Sequence, residues 1–430
     1  DPSLGFGYDY DVANPEVILN RMSVRDGRVT LPDGMQYELL VLPDRDDIDL
    51  AVLRKLEQLI REGATVVGRK PVRTSGLADY LQRDQQVKEL GNQIWGACDG
   101  KSVTHRRYGQ GHVIWGPSLR EILLARNIQP DFQFNSERDD CRLDYIHRRD
   151  PSADIYFIRN MQSQPAQARA TFRVADKVPE FWFPDSGEIR PCHVYQQLGE
   201  VVHVPLSLDA DGSLFVVFRN RQRRPHLIAA DAGVEVLGTA DGRVRVSSQK
   251  NGSFPLQTSD GKKLSISVSE LPAPIELTRP WKVEFLSGRG APQSVTVDKL
   301  TSWTEFDHAS IKYYAGIARY ETSFEAPDSW LARGRGVRLD LGRLWTVGRV
   351  SVNDSDLGVV WKPPYQLDVT RLVKSGQNRL VIEVANTWSN RLVGDALLAE
   401  EQRIGRTNIT RSGTPGKPWK QVPLHESGLM

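Results

Sequence analysis

Sulfur is scarce in this chain, with three cysteines and four methionines among 430 residues. Cys98, Cys141 and Cys192 are widely spaced, odd in number and without a C-x-x-C pairing. Neither a zinc site nor a disulfide framework is implied, and the compartment stays open on this ground. A surplus of charge is also missing: 56 Lys and Arg stand against 54 Asp and Glu, a net +2, which predicts neither a nucleic-acid partner nor an anionic membrane surface. The local run RNRQRR at 219–224 reads as a solvated linker. No apolar stretch approaches the roughly 18 residues a membrane span needs. The chain opens at Asp1 without a signal-peptide core and closes on HESGLM with no helix stop or turn closure after Leu429. It is therefore expected to be a mature or excised piece, cut at both ends.

Familiar catalytic signatures are absent as well. There is no G-x-G-x-x-G for a dinucleotide, no G-x-S-x-G nucleophile elbow and no H-E-x-x-H zinc helix. His425-Glu426 has no second histidine. GACDGKS at 96–102 is one residue short of a phosphate loop and follows a helical stretch instead of a strand, so its anion cradle is not expected to form. His147-Arg148-Arg149 has the forked donors to bind a carboxylate or phosphate, against the plainer reading of a polar strand end in water. Carboxylates are plentiful, but glycoside chemistry needs two facing each other at roughly 5 to 9.5 Å, and sequence alone pairs none of them. The N-x-[ST] triplets at Asn251, Asn353 and Asn408 carry no weight.

What is present is a soluble globular composition, 39% apolar and 26% charged, on a length that calls for about three domains. YELLVLP reads as a compact strand, and in the following segment Leu50, Leu53, Leu56, Leu59 and Ile60 fall on helical spacing. Asp47 or Asp49 is placed to cap the helix start and Gly63 its end, with ATVVG as the next strand. LADYLQRDQQVKELGNQIWG and SLREILLARN read as further helices around a strand in GHVIWG. This predicts an α/β layer with a mostly parallel sheet over 1–135.

From Leu143 the helical period gives way to short alternating runs separated by turns such as DSGE and DADG, a β-sandwich module over 136–225. Weaker strands fill 226–279, a linker or extra β segment. The last unit, 280–430, alternates again: Ala318, Tyr320, Thr322 and Phe324 share one face, as do Leu380, Ile382 and Val384. A two-sheet sandwich or jelly roll follows, with a tail after Gly394 that wraps. The unit is rich in Tyr313, Tyr314, Tyr320, Trp345, Trp361, Tyr365 and Trp388, with Asn353, Asn386, Asn390, Arg391 and Asp395 close by in sequence. Rings that stack sugar C–H faces beside groups that hold hydroxyls suit carbohydrate binding, and sandwich cores use the same aromatics. In NDSDLGVVWKPPYQLDVT, Asn353 to Asp356 supplies a hairpin turn. The Pro pair then ends sheet pairing, leaving Trp361 and Tyr365 to pack the corner or to face a ligand.

RYETSFEAP, LDLGRLWTVGRVSVNDSDLGVVWKPPYQLDVT, NRLVIEVANTWSNRLVGD and TPGKPWKQVPLHESGL together resemble the galactose-binding-like jelly roll that closes glycoside hydrolases of the family 106 α-L-rhamnosidase kind. They are more distantly similar to the sugar-binding domain of family 2. YIHRRDPSADIYFIRN with PEFWFPDSGEIRP resembles the β-module of the same enzymes. The segment from GFGYDYDVANPEVILN onward resembles their passage from the catalytic barrel into a flavodoxin-like or amidotransferase-like α/β domain.

The resemblance implies an accessory C-terminal portion of a glycoside hydrolase acting on polysaccharide, its acid and base carboxylates lying on a barrel absent from this chain. Carbohydrate is then the substrate and the enzyme's own N-terminal barrel the partner. Neither nucleic acid nor membrane is expected, and the location is periplasmic or extracellular. No cofactor is implied, although family 106 enzymes resemble calcium-assisted glycosidases; no ligand set is legible. The expected sugar contacts are Tyr8, Asp9 and Tyr10 in the loop leaving the barrel, Trp361 and Tyr365 at the corner, and Asn386, Trp388, Asn390 and Arg391 after the last clear strand. A stand-alone carbohydrate-binding protein is the alternative.

Overall fold

A computed structural model describes residues 7–221, 225–240, 243–413 and 416–430. Gln222, Arg223 and Arg224 of the basic run, and Thr414 and Pro415 of the tail, lie outside them. The chain is mostly β and divides into two compact units. The first holds the residues up to 162 with 166–208 and 212–267, and the second holds 163–165, 209–211 and 268–430.

The first unit begins with a four-stranded sheet in the order Leu40–Val41, Thr65–Val67, Gly111–Ile114, His105–Tyr108. Its first two pairings are parallel and the last antiparallel. Helix Leu50–Glu62 forms where the apolar period predicts it. Asp49 accepts from Ala51 N and Val52 N, and Gly63 at φ 125° closes the end in a region that favours glycine. Leu53, Leu56, Leu59 and Ile60 are fully buried, each contributing roughly 2 kcal/mol of apolar transfer. Helix Tyr80–Trp95 is fixed at its end by Trp95 Nε1 donating to Gly68 O. Helix Leu119–Ala125 opens with a reciprocal Ser118/Glu121 capping box.

Two antiparallel sheets follow. One has the order Ile189–Pro191, Val178–Trp182, Ser213–Arg219, Ala153–Asn160, Leu143–Arg149; the other runs Gln196–Leu198, Val201–Leu208, Ala166–Phe172, Phe132–Asn135. They share one core around Phe132, Tyr156, Phe172, Val204 and Phe218, as two facing sheets must. Strand Leu227–Ala230 pairs with Gly252–Thr258, which lies beside Lys263–Val268.

In the second unit six antiparallel strands lie in the order Ser294–Val297, Trp281–Phe285, Ile317–Ala326, Gly376–Ala385, Val347–Val352, Ser355–Val360. Register sets Ala318 against Val384, Tyr320 against Ile382 and Thr322 against Leu380, so the inward positions read from alternation stack into one core. Asn353 and Asp354, both at positive φ, form the two-residue turn between Val352 and Ser355. Beyond the Pro363-Pro364 pair the chain leaves this sheet, and Gln366–Asp368 pairs instead with Arg338–Asp340.

The last residues are not a loose end. Gly428–Leu429 pairs with Leu344–Trp345, and Trp303 N donates to Ser427 O. At Gly428, φ 96°, an added Cβ would lie 2.5 Å from Trp303 Nε1 and 2.7 Å from Tyr320 Oη.

Candidate functional site

The six-stranded register brings three tryptophans to one end of the second unit's sheet. Val347 and Ile317 both sit opposite Ala385, and Gly348 sits opposite Val360. Trp361 therefore leaves the sheet beside the point where Trp345-Thr346 enters it and where 386–388 departs. Thr346 N donates to Ala385 O, which ties two of these segments together. Trp345, Trp361 and Trp388 are 41%, 56% and 56% exposed, unusual for the largest apolar side chain and suited to stacking on a sugar ring. Lys362 lies over the Trp361 ring at 5.8 Å.

The polar residues beside Trp388 are turned inward. Asn386 donates to Tyr314 O at 2.8 Å and Ser427 Oγ at 3.2 Å and accepts from Gly316 N at 3.0 Å. Asn390, buried, donates to His425 O and Ser427 Oγ and accepts from His425 N. Arg391 pairs with Asp395 at 2.9 Å and lies 6.0 Å from the Tyr313 ring centroid, both charged side chains nearly buried. Asp395 also accepts from Ile404 N and Gly405 N. These residues knit helix Ser389–Ala396 to the returning tail and hold Trp388 at the helix start. Tyr365 packs against the core, where burial pushes its phenol up. The corner is thus divided between a packed Tyr365 and an exposed Trp361.

In the first unit Tyr8 is half-buried and donates to Ile128 O at 2.8 Å, and burial pushes its phenol up. Asp9 is exposed and accepts from Tyr10 N, while Tyr10 is 52% exposed. Just behind, Asp131 N donates to Gly7 O.

Asp131 belongs to a charged cluster that sequence reasoning missed. His147 lies 2.6 Å through Nδ1 from Asp131 and 3.0 Å through Nε2 from Asp154. Only an imidazolium donates to both. Burial alone would lower the His147 pKa, but the two carboxylates outweigh it and hold it raised. Asp154 also accepts from Lys177 at 2.7 Å and Arg149 at 2.5 Å. Although burial opposes it, these donors and His147 keep its carboxyl well below the usual range. Arg173 and Tyr156 complete Asp131, and the His147 ring stacks on Tyr156 at 4.0 Å.

The anions that His147 and Arg149 meet are therefore the chain's own, which corrects the external-anion reading; the solvated-end reading fails at His147 and holds for the exposed side chains of Arg148 and Arg149. Alternation held the signal: His147 shares its strand face with buried Leu143, and Asp154 shares its face with Tyr156 and Ile158. The phosphate-loop look-alike is likewise closed from within, because Asp99 Oδ1 accepts from Lys101 N, Ser102 N and Val103 N. Trp345, the third exposed tryptophan, was visible as an aromatic but not as a site residue, since only pairing puts it beside Trp361.

Residues 1–197 match the family described as alpha-L-rhamnosidase. A rhamnosidase structure from Novosphingobium sp. PP1Y is 32% identical with a TM-score of 0.70, covering 98% of this chain and 35% of that one. A curated Formosa agariphila protein named as a beta-glucuronidase is 23% identical, covering 91% of this chain. The chain spans 48% of that relative's length. A Ruminococcus gnavus beta-glucuronidase structure, 24% identical, covers 26% of this chain and 20% of its own with a TM-score of 0.22, too low to bear on the fold. Among the described residues no group of three or more His, Cys, Asp or Glu is gathered to hold a metal. No helix among them is long and apolar enough to cross a membrane.

Proposed function

We propose that this chain is the C-terminal portion of an α-L-rhamnosidase-like glycoside hydrolase that cleaves O-glycosidic bonds in polysaccharides. In this reading it supplies scaffold and sugar contacts, and a catalytic barrel outside its 430 residues carries the acid and base. The observation that carries the reading is the likeness to the Novosphingobium rhamnosidase, which runs through nearly all of this chain and only about a third of that enzyme. Residues 1–135 then form a flavodoxin-like or amidotransferase-like layer, 136–225 a sandwich module, 226–279 a linking β segment and 280–430 a galactose-binding-like jelly roll. The enzyme works in the periplasm or outside the cell.

Within this chain Trp361 and Trp388 are the proposed stacking platforms, and Asp9 and Tyr10 the proposed contacts on the first unit. Tyr8, Tyr365, Asn386, Asn390 and Arg391 hold those platforms in position. The test is release of p-nitrophenol from p-nitrophenyl α-L-rhamnoside by this chain beside a version extended upstream. Activity only in the extended version is expected, and activity in the short chain would sink the accessory role. The second reading, a stand-alone carbohydrate-binding protein, is favoured by the three exposed tryptophans at one sheet end. Binding of rhamnose oligosaccharides by the 430-residue chain, weakened in Trp388→Ala, with no hydrolysis by any extended form, would prefer it.

A further inference from the structure

The opposite end of the same sheet carries a groove of about 790 Å³, within the size range of small-ligand sites. Strand Gly376–Ala385 begins here and ends at the tryptophans, so the two places are about 30 Å apart along it. Arg279, Lys282, Lys374 and Arg379 line the groove against two carboxylates, Glu321 and Asp354.

Both carboxylates are already occupied. Arg379 grips Glu321 through two bonds of 2.8 and 2.9 Å and Asp354 through a third of 2.7 Å. Lys374 is exposed, and its ammonium has no partner among the described residues; the Gln377 amide has none either. The loop presenting Lys374 is braced from beneath by two asparagines. Buried Asn378 accepts from Lys374 N and donates to Lys374 O and Gly376 O, while Asn353 donates to Leu372 O and to Asn378 Oδ1. The backbone that carries this free cation is already fixed, so binding has only the lysine side chain itself to order. No aromatic ring lines the groove, so it offers a neutral sugar no stacking face. Arg279 pairs with Glu325 at 3.7 Å and Lys282 with Glu284 at 2.6 Å, so what the groove offers is the single ammonium of Lys374 with hydroxyl and amide partners from Ser323, Thr296 and Gln377.

We propose that this groove is a second glycan site, separate from the tryptophan end, that takes an acidic oligosaccharide by seating its carboxylate or sulfate group on Lys374. That the ligand is a sugar rests on the reading above; that it is anionic rests on the groove itself. A compact ammonium pairs with either anion as a point charge, so both sources belong to one chemistry.

The experiment is calorimetric titration of the 430-residue chain with oligogalacturonate and with its methyl ester, and in parallel with dextran sulfate and dextran. Lys374→Glu is the test variant, and exposed Lys88→Glu in the first unit is the charge-matched control. The expected result is binding of at least one anionic member, absence of its neutral counterpart, and a tenfold or greater loss in Lys374→Glu but not in Lys88→Glu. Which anionic member binds identifies the carboxylate or the sulfate. Equal binding of the neutral partner, equal loss in both variants, or no binding of either anion overturns the proposal. Binding is read directly, so failure of rhamnoside hydrolysis in an extended protein leaves this result standing.

Discussion

Trp303 Nε1 donates to Tyr320 Oη at 2.5 Å inside the second unit, and Leu429 N donates to the same oxygen at 3.2 Å. One phenol thus joins a 3₁₀ turn, a central strand and the end of the tail. Tyr320→Phe leaves two buried donors unsatisfied and is expected to cost about 2–4 kcal/mol. Gly428→Ala is expected to be at least as damaging, since its Cβ would overlap both partners at positive φ. Urea unfolding followed by tryptophan fluorescence checks both; a change under 0.5 kcal/mol for either would contradict the packing.

The His147 cluster makes stability depend on pH from both sides. The His147 pKa is raised, so its contribution is complete below the unfolded value near 6.5 and is lost as pH rises through the folded value. The Asp154 pKa is lowered, so its contribution is complete above about 3.9 and is lost as pH falls through the folded value. The cluster is therefore fully formed between roughly pH 4 and 6.5. Thermal unfolding from pH 4 to 9 should show the alkaline decline, and His147→Gln should flatten it.

Trp388 and Asn390 are neighbours with opposite expected phenotypes. Trp388→Ala should weaken rhamnose-oligosaccharide binding by roughly 3- to 10-fold, the scale of one aromatic contact, with stability nearly unchanged. Asn390→Ala should cost about 1–3 kcal/mol of stability by orphaning groups of the tail. Titration calorimetry and thermal unfolding on both variants separate the two roles.

Asp49→Ala should destabilise the first unit by about 1 kcal/mol, since it removes the cap from Ala51 N and Val52 N. Leu56→Ala, in the same helix but fully buried, should cost 2–5 kcal/mol by leaving a cavity. Reversal of that order in denaturant titrations would contradict the helix placement.

Local rules read well from the sequence, and partners did not. A cap at Asp47 or Asp49, of which the structure uses Asp49, the stop at Gly63, a turn within Asn353 to Asp356 and the buried faces of 318–324 and 380–384 follow from residue type and period alone. YELLVLP, read as one strand, is split: Gln36–Tyr37 pairs with Arg28–Thr30, while Leu40–Val41 joins the parallel sheet. An apolar run records burial and is silent about its neighbour. Phe132–Asn135, which follows the α/β helices in order, pairs with Ala166–Phe172 for the same reason. At the site, Trp361 and Trp388 were legible as aromatics near loops. The inward turn of Asn390 depends on the tail 35 residues on and that of Asn386 on Tyr314 and Gly316, contacts no local pattern announces, whereas Arg391 meets Asp395 one helical turn away.

The pairing of Gly428–Leu429 with Leu344–Trp345 also bears on the order in which the molecule is made. Helices and hairpins close on local contacts, but the second unit's core has no cover at Trp303 and Tyr320 until residues 427–429, more than a hundred positions further along the chain, have docked. A cut that removes those few residues therefore uncovers aromatic rings of the core that lie far from it in sequence, and the damage is to a distant part of the unit rather than to its own neighbourhood.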